Sequence, residues 1–268
     1  MASSNKVAFH ARSISFPTRS NPLTLTVEEQ LCRLRSSEQA TSSSSISHNL
    51  AGLKDLYESV EDFLQLQNEK CVDGVLDGSL MLLDVCGTIR DVLSQMKQCV
   101  QDLQSSIRRR SDLANEVNEY MTSRKKVTKV IRKCLGGLKK MQNKNCDDVA
   151  IVNVLREVEV TTLAVFESLL SFLYGHNAQS KSSSWSLVSK LMPNKRVVCE
   201  GETNEVEKVD MALNALIGHK QKIVGDVKTA QKPLEALELS IQDLEEGLEC
   251  VFRGLIKTRV SLLNILNQ

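Results

Sequence analysis

The sequence predicts an all-α fold: an elongated antiparallel helical bundle with a long C-terminal heptad helix. Three observations predict it. Prolines stand only at 17, 22, 193 and 233, so none interrupts a helical ladder between Leu23 and Met192. Aromatic residues make up only 4% of the 268 residues, and Leu and Val supply most of the apolar surface, a poor composition for strands. Apolar residues recur at steps of three and four along most of the chain, the period of a buried helix face.

The elements follow in order. Residues 1–25 read as a disordered basic head rich in Ser, Arg and Pro, with no acidic residue before Glu28. Residues 26–268 read as the helical bundle, with Ser-rich loops near 36–45 and 176–204. Thr26 opens the first helix, with Glu29 three residues later in a capping-box pattern. Val27, Leu31 and Leu34 share its apolar face. Ile46, Leu50, Leu53, Tyr57, Val60 and Leu64 define the second helix.

After "NEKCVDG" the pattern resumes near Val72 and runs through Leu83, Met96 and Leu103 to Ile107. Ser111 offers a cap for the next helix, which extends to about Met141. Asp147 or Asp148 can cap the following one, whose Val152, Leu155, Val165, Leu169 and Phe172 lie on one face up to Gly175. The loop that follows holds the only Trp, Trp185, in the island "WSLVSKLM". That island reads as an anchor on the bundle, with a partner-binding peptide as the alternative. A helix from about Val206 to Lys220 and a join near Gly225 come next.

The last helix carries an unbroken a/d coiled-coil seam from Leu234 and Leu237 through Ile241, Leu244, Leu248 and Val251 to Ile265. It spans about 50 Å at the usual rise per residue. Ser240, Gly247, Gly254 and Ser261 recur every seven residues beside it, which points to a closely approaching neighbour helix. Phe252 and Leu266 widen the apolar stripe, as in a bundle core. A homodimer through this helix is the alternative.

The net charge is +1, yet residues 105–144 carry twelve Lys/Arg against three Asp/Glu, and residues 200–250 carry twelve Asp/Glu against five Lys. The simplest reading is two helices of opposite sign facing each other across the bundle. Eight cysteines lie at 32, 71, 86, 99, 134, 146, 199 and 250, without a C-x-x-C pair. They read as small apolar residues in a reducing compartment, with no metal and no cofactor expected. No apolar run reaches membrane-spanning length, because "TTLAVFESLLSFLYG" is short and carries Glu167. The first twenty residues lack the apolar core of a signal peptide, so the expected compartment is cytoplasmic.

Phosphate-binding, nucleophile-elbow and zinc-helix motifs are missing from the sequence. The four histidines are scattered, and no catalytic residue is assigned. The chain is therefore read as non-enzymatic, with an enzyme of unrecognised site kept as an alternative. No nucleic-acid partner is predicted.

Two segments point to contacts. Between Arg124 and Met141, Val127, Val130, Ile131, Cys134, Leu135, Leu138 and Met141 fall on one side of a helix. Lys125, Lys126, Lys129, Arg132, Lys133, Lys139 and Lys140 fall on the other. Such a basic amphipathic helix suits an anionic membrane surface, so a peripheral membrane contact is one reading. The plainer reading is a core face backed by solvated lysines.

In the head, "RSISFP" places Arg12 and Ser13 before Ser15 and Pro17 after it. This resembles the motif that 14-3-3 adaptor proteins bind once the second serine is phosphorylated. Phosphate on Ser15 adds negative charge that a basic cluster can pair with. A chloroplast transit peptide and an inert tail are the alternatives.

The head "HARSISFPTRSNP", "VEEQLCRLRSSEQATSSSS", "LDGSLMLLDVCGTIRDVLSQMK" and the end "IQDLEEGLECVFRGLIKTRVSLLNILN" together resemble a plant-specific family of helical proteins, the BYPASS-like proteins. The resemblance covers nearly the whole chain. It implies an all-helical plant protein linked to root and shoot development, with some members labelled chloroplastic. It brings no catalytic residues and no cofactor. The expected function is a non-enzymatic scaffold or regulator acting through protein–protein contacts.

Overall fold

The computed structural model describes residues 22–37, 42–65, 73–109, 113–141, 150–175, 203–218 and 223–267. Seven helices occupy the described residues: α1 Pro22–Ser36, α2 Ser43–Gln65, α3 Asp73–Arg109, α4 Leu113–Met141, α5 Ala150–Tyr174, α6 Glu205–Gly218 and α7 Ile223–Leu266. The predicted all-α class holds, and no strand occurs among these residues.

α7 is the axle. It packs along α2 and α3, and α6 lies against it as well. α5 touches α1, α2, α3 and α4. The a/d seam explains α7's place: Leu234, Leu237, Ile241, Leu244, Leu248 and Val251 are all fully buried. That seam is therefore occupied within the chain.

α3 runs antiparallel to α7. Gln101 Nε2 donates to Glu238 at 2.8 Å, Lys97 Nζ to Glu245 at 2.6 Å, and Arg259 Nη1 to Ser79 Oγ at 3.0 Å. The α2/α7 pair, by contrast, runs parallel. Ser240 meets Ser43 at 3.2 Å, and Ser261 Oγ donates to Glu61 at 2.7 Å. Between those rungs, a Cβ added at Gly247 would lie 3.1 Å from Leu50 Cβ, and one at Gly254 would lie 2.8 Å from Tyr57 Cβ. The heptad-spaced small residues thus admit the backbone of α2, the close neighbour that their spacing predicts. Tyr57 continues inward to α5, where its hydroxyl lies 2.9 Å from Thr162 Oγ1. Thr162 donates its own proton to Val158 O, so Tyr57 is the donor.

Three boundaries differ from the sequence reading, each for a physical reason. α1 starts at Pro22, not Thr26, because proline at a helix's first position loses no hydrogen bond. Thr26 Oγ1 instead donates back to Pro22 O at 3.1 Å. Residues 22–25 therefore belong to the helix and not to the head.

The Ser-rich join is shorter than 36–45, since α2 already starts at Ser43. Ser42 and Ser45 cap it reciprocally, each side chain accepting from the other's backbone N–H at 3.3 and 3.2 Å. Finally, α7 starts at Ile223 and runs through Gly225 and Pro233 without a join. Proline removes one ladder bond, and the packing of Ala230 and Leu234 on either side keeps the helix whole.

The paired charge runs also pack differently. Acidic α7 finds its cations on α3, through Lys97 to Glu245 and Arg90 to Glu249. Basic α4 packs on α3 and α5 and meets α6 only at a small junction. Ser111, Asp147, Asp148 and the Trp185 island lie outside the described residues.

Candidate functional site

α4 presents two faces of opposite character. Val127, Ile131 and Leu138 are buried in the core, and Cys134 and Leu135 pack against it. Lys125, Lys126, Lys129, Arg132 and Lys133 are exposed on the other side. Val130, read from the sequence as part of the apolar side, is 43% exposed and stands among the lysines. Lys139 and Lys140 fall in the last turn of α4, with side chains outside the described set.

Among the described residues, Lys125, Lys126, Lys129 and Lys133 form no ion pair. Arg132 is tied down: its Nη2 donates to Tyr174 Oη at 2.8 Å, and its guanidinium lies 5.8 Å from that ring's centre. The structure therefore brings five of the seven predicted cations onto one outward face. The apolar side needed for insertion into lipid is already buried in the core.

The residue just before this run behaves differently. Arg124 is 8% exposed and points inward. Its Nε lies 3.3 Å from Asp210 Oδ2 on α6, and its Nη2 donates to Tyr174 O at 2.9 Å, at the end of α5. Tyr120 Oη donates to Asp210 Oδ1 at 3.3 Å. Burial pushes the Asp210 carboxyl above the usual carboxylate range, against the opposing pull of Arg124. Burial likewise raises the Tyr120 hydroxyl.

Around this pair, helix ends interlock. Gly175 takes φ +82°, a left-handed cap that favours glycine, and its N–H donates to Ser171 O. Asn204 caps α6 by accepting from Glu207 N at 2.9 Å and reaches back to Phe172 O at 3.0 Å. The Arg124 junction thus locks α4, α5 and α6 together and fixes the direction of the basic face.

The sequence reading missed Arg124 and Asp210, though a signal for Arg124 was there. Val117, Tyr120, Arg124, Val127 and Ile131 step by three and four along the buried side. Arg124 stands in that seam, hidden by the basic run beside it.

A cleft of about 800 Å³ lies between α3 and α7, lined by Arg90, Asp91, Glu246, Glu249 and Arg253 among others. Its central carboxylate, Glu249, is already held by Arg90 and Arg253, each at 3.1 Å. Arg90 also stacks 4.5 Å from the centre of the Phe252 ring. Among the described residues no group of three or more His, Cys, Asp or Glu side chains is arranged so that it could hold a metal ion. No helix among them is long and apolar enough to cross a membrane. Arg12, Ser13, Ser15 and Pro17 lie outside the described residues.

The family model described as Protein BPS1 matches residues 49–265, well over half of the chain. The chain belongs to the BPS1 family. This agrees with the BYPASS-like resemblance read from the sequence. The BPS1 span takes in the basic face of α4, the Arg124 junction and nearly all of α7, and it begins within α2, after the head and α1. Comparison with curated proteins and with solved structures gives no match.

Proposed function

We propose that this BPS1-family chain is a non-enzymatic cytoplasmic scaffold or regulator that works through protein contacts. The exposed basic face of α4 is its surface for an acidic partner. One observation carries the reading: four lysines that form no ion pair among the described residues stand on one face, aimed by the buried Arg124 junction. Counter-charge from outside the chain would complete that face, and its attraction would fall with added salt. The BYPASS-like resemblance supports a part for it in plant root and shoot development.

Proximity labelling in plant cells tests it, with the wild type set against a Lys125→Glu/Lys126→Glu/Lys133→Glu variant. The reading expects a set of labelled proteins that the variant loses while its helicity is kept. An identical set for both proteins would remove α4 from the account, and the labelled compartment would separate cytoplasm from chloroplast.

A second reading takes anionic lipid as the counter-charge, favoured by Val130 standing exposed among the lysines. Flotation with anionic vesicles distinguishes it, since a protein partner does not require binding to bare lipid. At the head, phosphorylated Ser15 would add a 14-3-3 contact. A phosphopeptide of residues 8–22 that fails to retain 14-3-3 would end that part.

A further inference from the structure

The inner face of α7 is buried, but its outer face carries a heptad seam of its own. Leu239 is 65% exposed, Ile256 42%, Val260 51% and Leu263 39%. With Gln242, Glu246, Glu249 and Arg253 between them, these residues step by three and four without a break, as coiled-coil positions do. The seam extends for about 36 Å along the helix. Beside it, Asp243, Cys250 and Lys257 form an exposed row seven residues apart.

The order of charges identifies what fits. The first half of the seam and its flank is acidic, with Asp243, Glu246 and Glu249. The second half is basic, with Arg253 and Lys257. A parallel second copy would set Arg253 against Arg253 and Glu246 against Glu246. An antiparallel copy centred near Val251 does the opposite. Leu239 then faces the second copy's Leu263, Glu249 faces its Arg253, and Asp243 faces its Lys257. Each contact occurs twice, as two-fold symmetry requires. Glu246 falls opposite Ile256 and Gln242 opposite Val260, where their aliphatic stems can cover the apolar side chains. Sliding the copy by one heptad toward the C-terminus sets Glu249 against Val260 and Lys257 against Cys250, so both charge matches are lost, and leaves Leu239 bare.

We propose that a second copy of this chain docks antiparallel along the outer seam of α7, with the two-fold axis near Val251. Glu249 keeps its Oε2 bond to Arg90 of α3, while the bond from Arg253 to its Oε1 lies within one helix and Arg253 is largely exposed, so exchanging that second bond for a contact across the axis costs little. This face is separate from the α4 lysines. Cys250 is exposed and falls beside the axis, so two copies bring their Cys250 thiols near each other.

Sedimentation equilibrium of the full chain at micromolar concentrations tests the proposal. The wild type is expected to be a dimer and the Leu239→Glu/Leu263→Glu variant a monomer of unchanged helicity. Lys257→Glu is expected to weaken the dimer about tenfold, because the pair occurs twice. Asp243→Lys combined with Lys257→Glu restores it. A short bis-maleimide should join two wild-type chains and fail with Cys250→Ser. A monomeric wild type, a dimer that survives Leu239→Glu/Leu263→Glu, or a double charge swap without rescue would each overturn the proposal.

Discussion

Replacing Gly254 with alanine tests the parallel α2/α7 contact. On an isolated helix this change stabilises by about 1 kcal/mol, because alanine loses less backbone entropy than glycine. Here the new methyl carbon would lie 2.8 Å from Tyr57 Cβ and 3.2 Å from its Cγ. Ordinary carbon contacts sit at about 3.5–4.0 Å, so the two helices must part by about 1 Å. Tyr57 cannot swing aside without breaking its buried hydroxyl bond to Thr162.

Overpacking of this kind costs about 1–3 kcal/mol, which outweighs the propensity gain and leaves a net loss of about 1 kcal/mol. Gly247→Ala meets Leu50 at 3.1 Å and should fall between loss and neutrality. Gly136→Ala is the control: it sits in helix α4 with nothing within 4 Å of the new carbon. It should gain up to about 1 kcal/mol. For a chain of this size the two alanines should shift Tm in opposite directions by about 2–4 °C each, read from far-UV circular dichroism melts. A Gly254→Ala protein that melts at or above the wild type would refute the close approach.

Other outcomes follow from the buried groups. Arg124→Met should destabilise by about 3 kcal/mol in urea titrations, since Asp210 is left buried without its cation and Tyr174 O without its donor. Asp210 has a raised folded-state pKa, so its contribution to stability is full below the ordinary carboxylate range and is lost as pH rises through the raised value. The stability of the wild type minus that of Asp210→Asn should therefore fall with rising pH across that window, as urea midpoints would show. Thr258 is buried in the α7 seam, and among the described residues nothing hydrogen-bonds its hydroxyl. Thr258→Val should raise stability by about 1 kcal/mol in the same titration. Cys86 is buried with its thiol pushed up to about 12, whereas Cys32 and Cys250 are exposed. Brief alkylation of the native protein should label Cys32 and Cys250 and spare Cys86, as peptide mass spectrometry would report.

The packing of α7 was legible in the sequence because its cause is local. Ten seam positions from Leu234 to Ile265 repeat without error, and a helix with that face has to bury it. The row Ser240, Gly247, Gly254 and Ser261 showed that a neighbour comes close. It did not show that the neighbour is α2 or that it runs parallel, because that depends on Leu50 and Tyr57, two hundred residues away. The missed starts at Pro22 and Ile223 have one cause: proline and glycine weaken a helix by amounts that tertiary packing overrides.

At the candidate site the limit was reading charge as a run. From Arg124 to Lys126 three consecutive cations look alike, yet a helix turns about 100° per residue and sends the first inward and the next two outward. An inward arginine needs a buried anion, and Asp210 supplies it from a helix eighty-six residues further on. The same dependence on distant partners hid the outer seam of α7. Leu239, Ile256, Val260 and Leu263 become an unpartnered face only once the inner seam is known to be filled by the chain itself. A helix that is apolar toward its own core and self-complementary in charge on its back can serve two packing surfaces at once, one within the chain and one between chains.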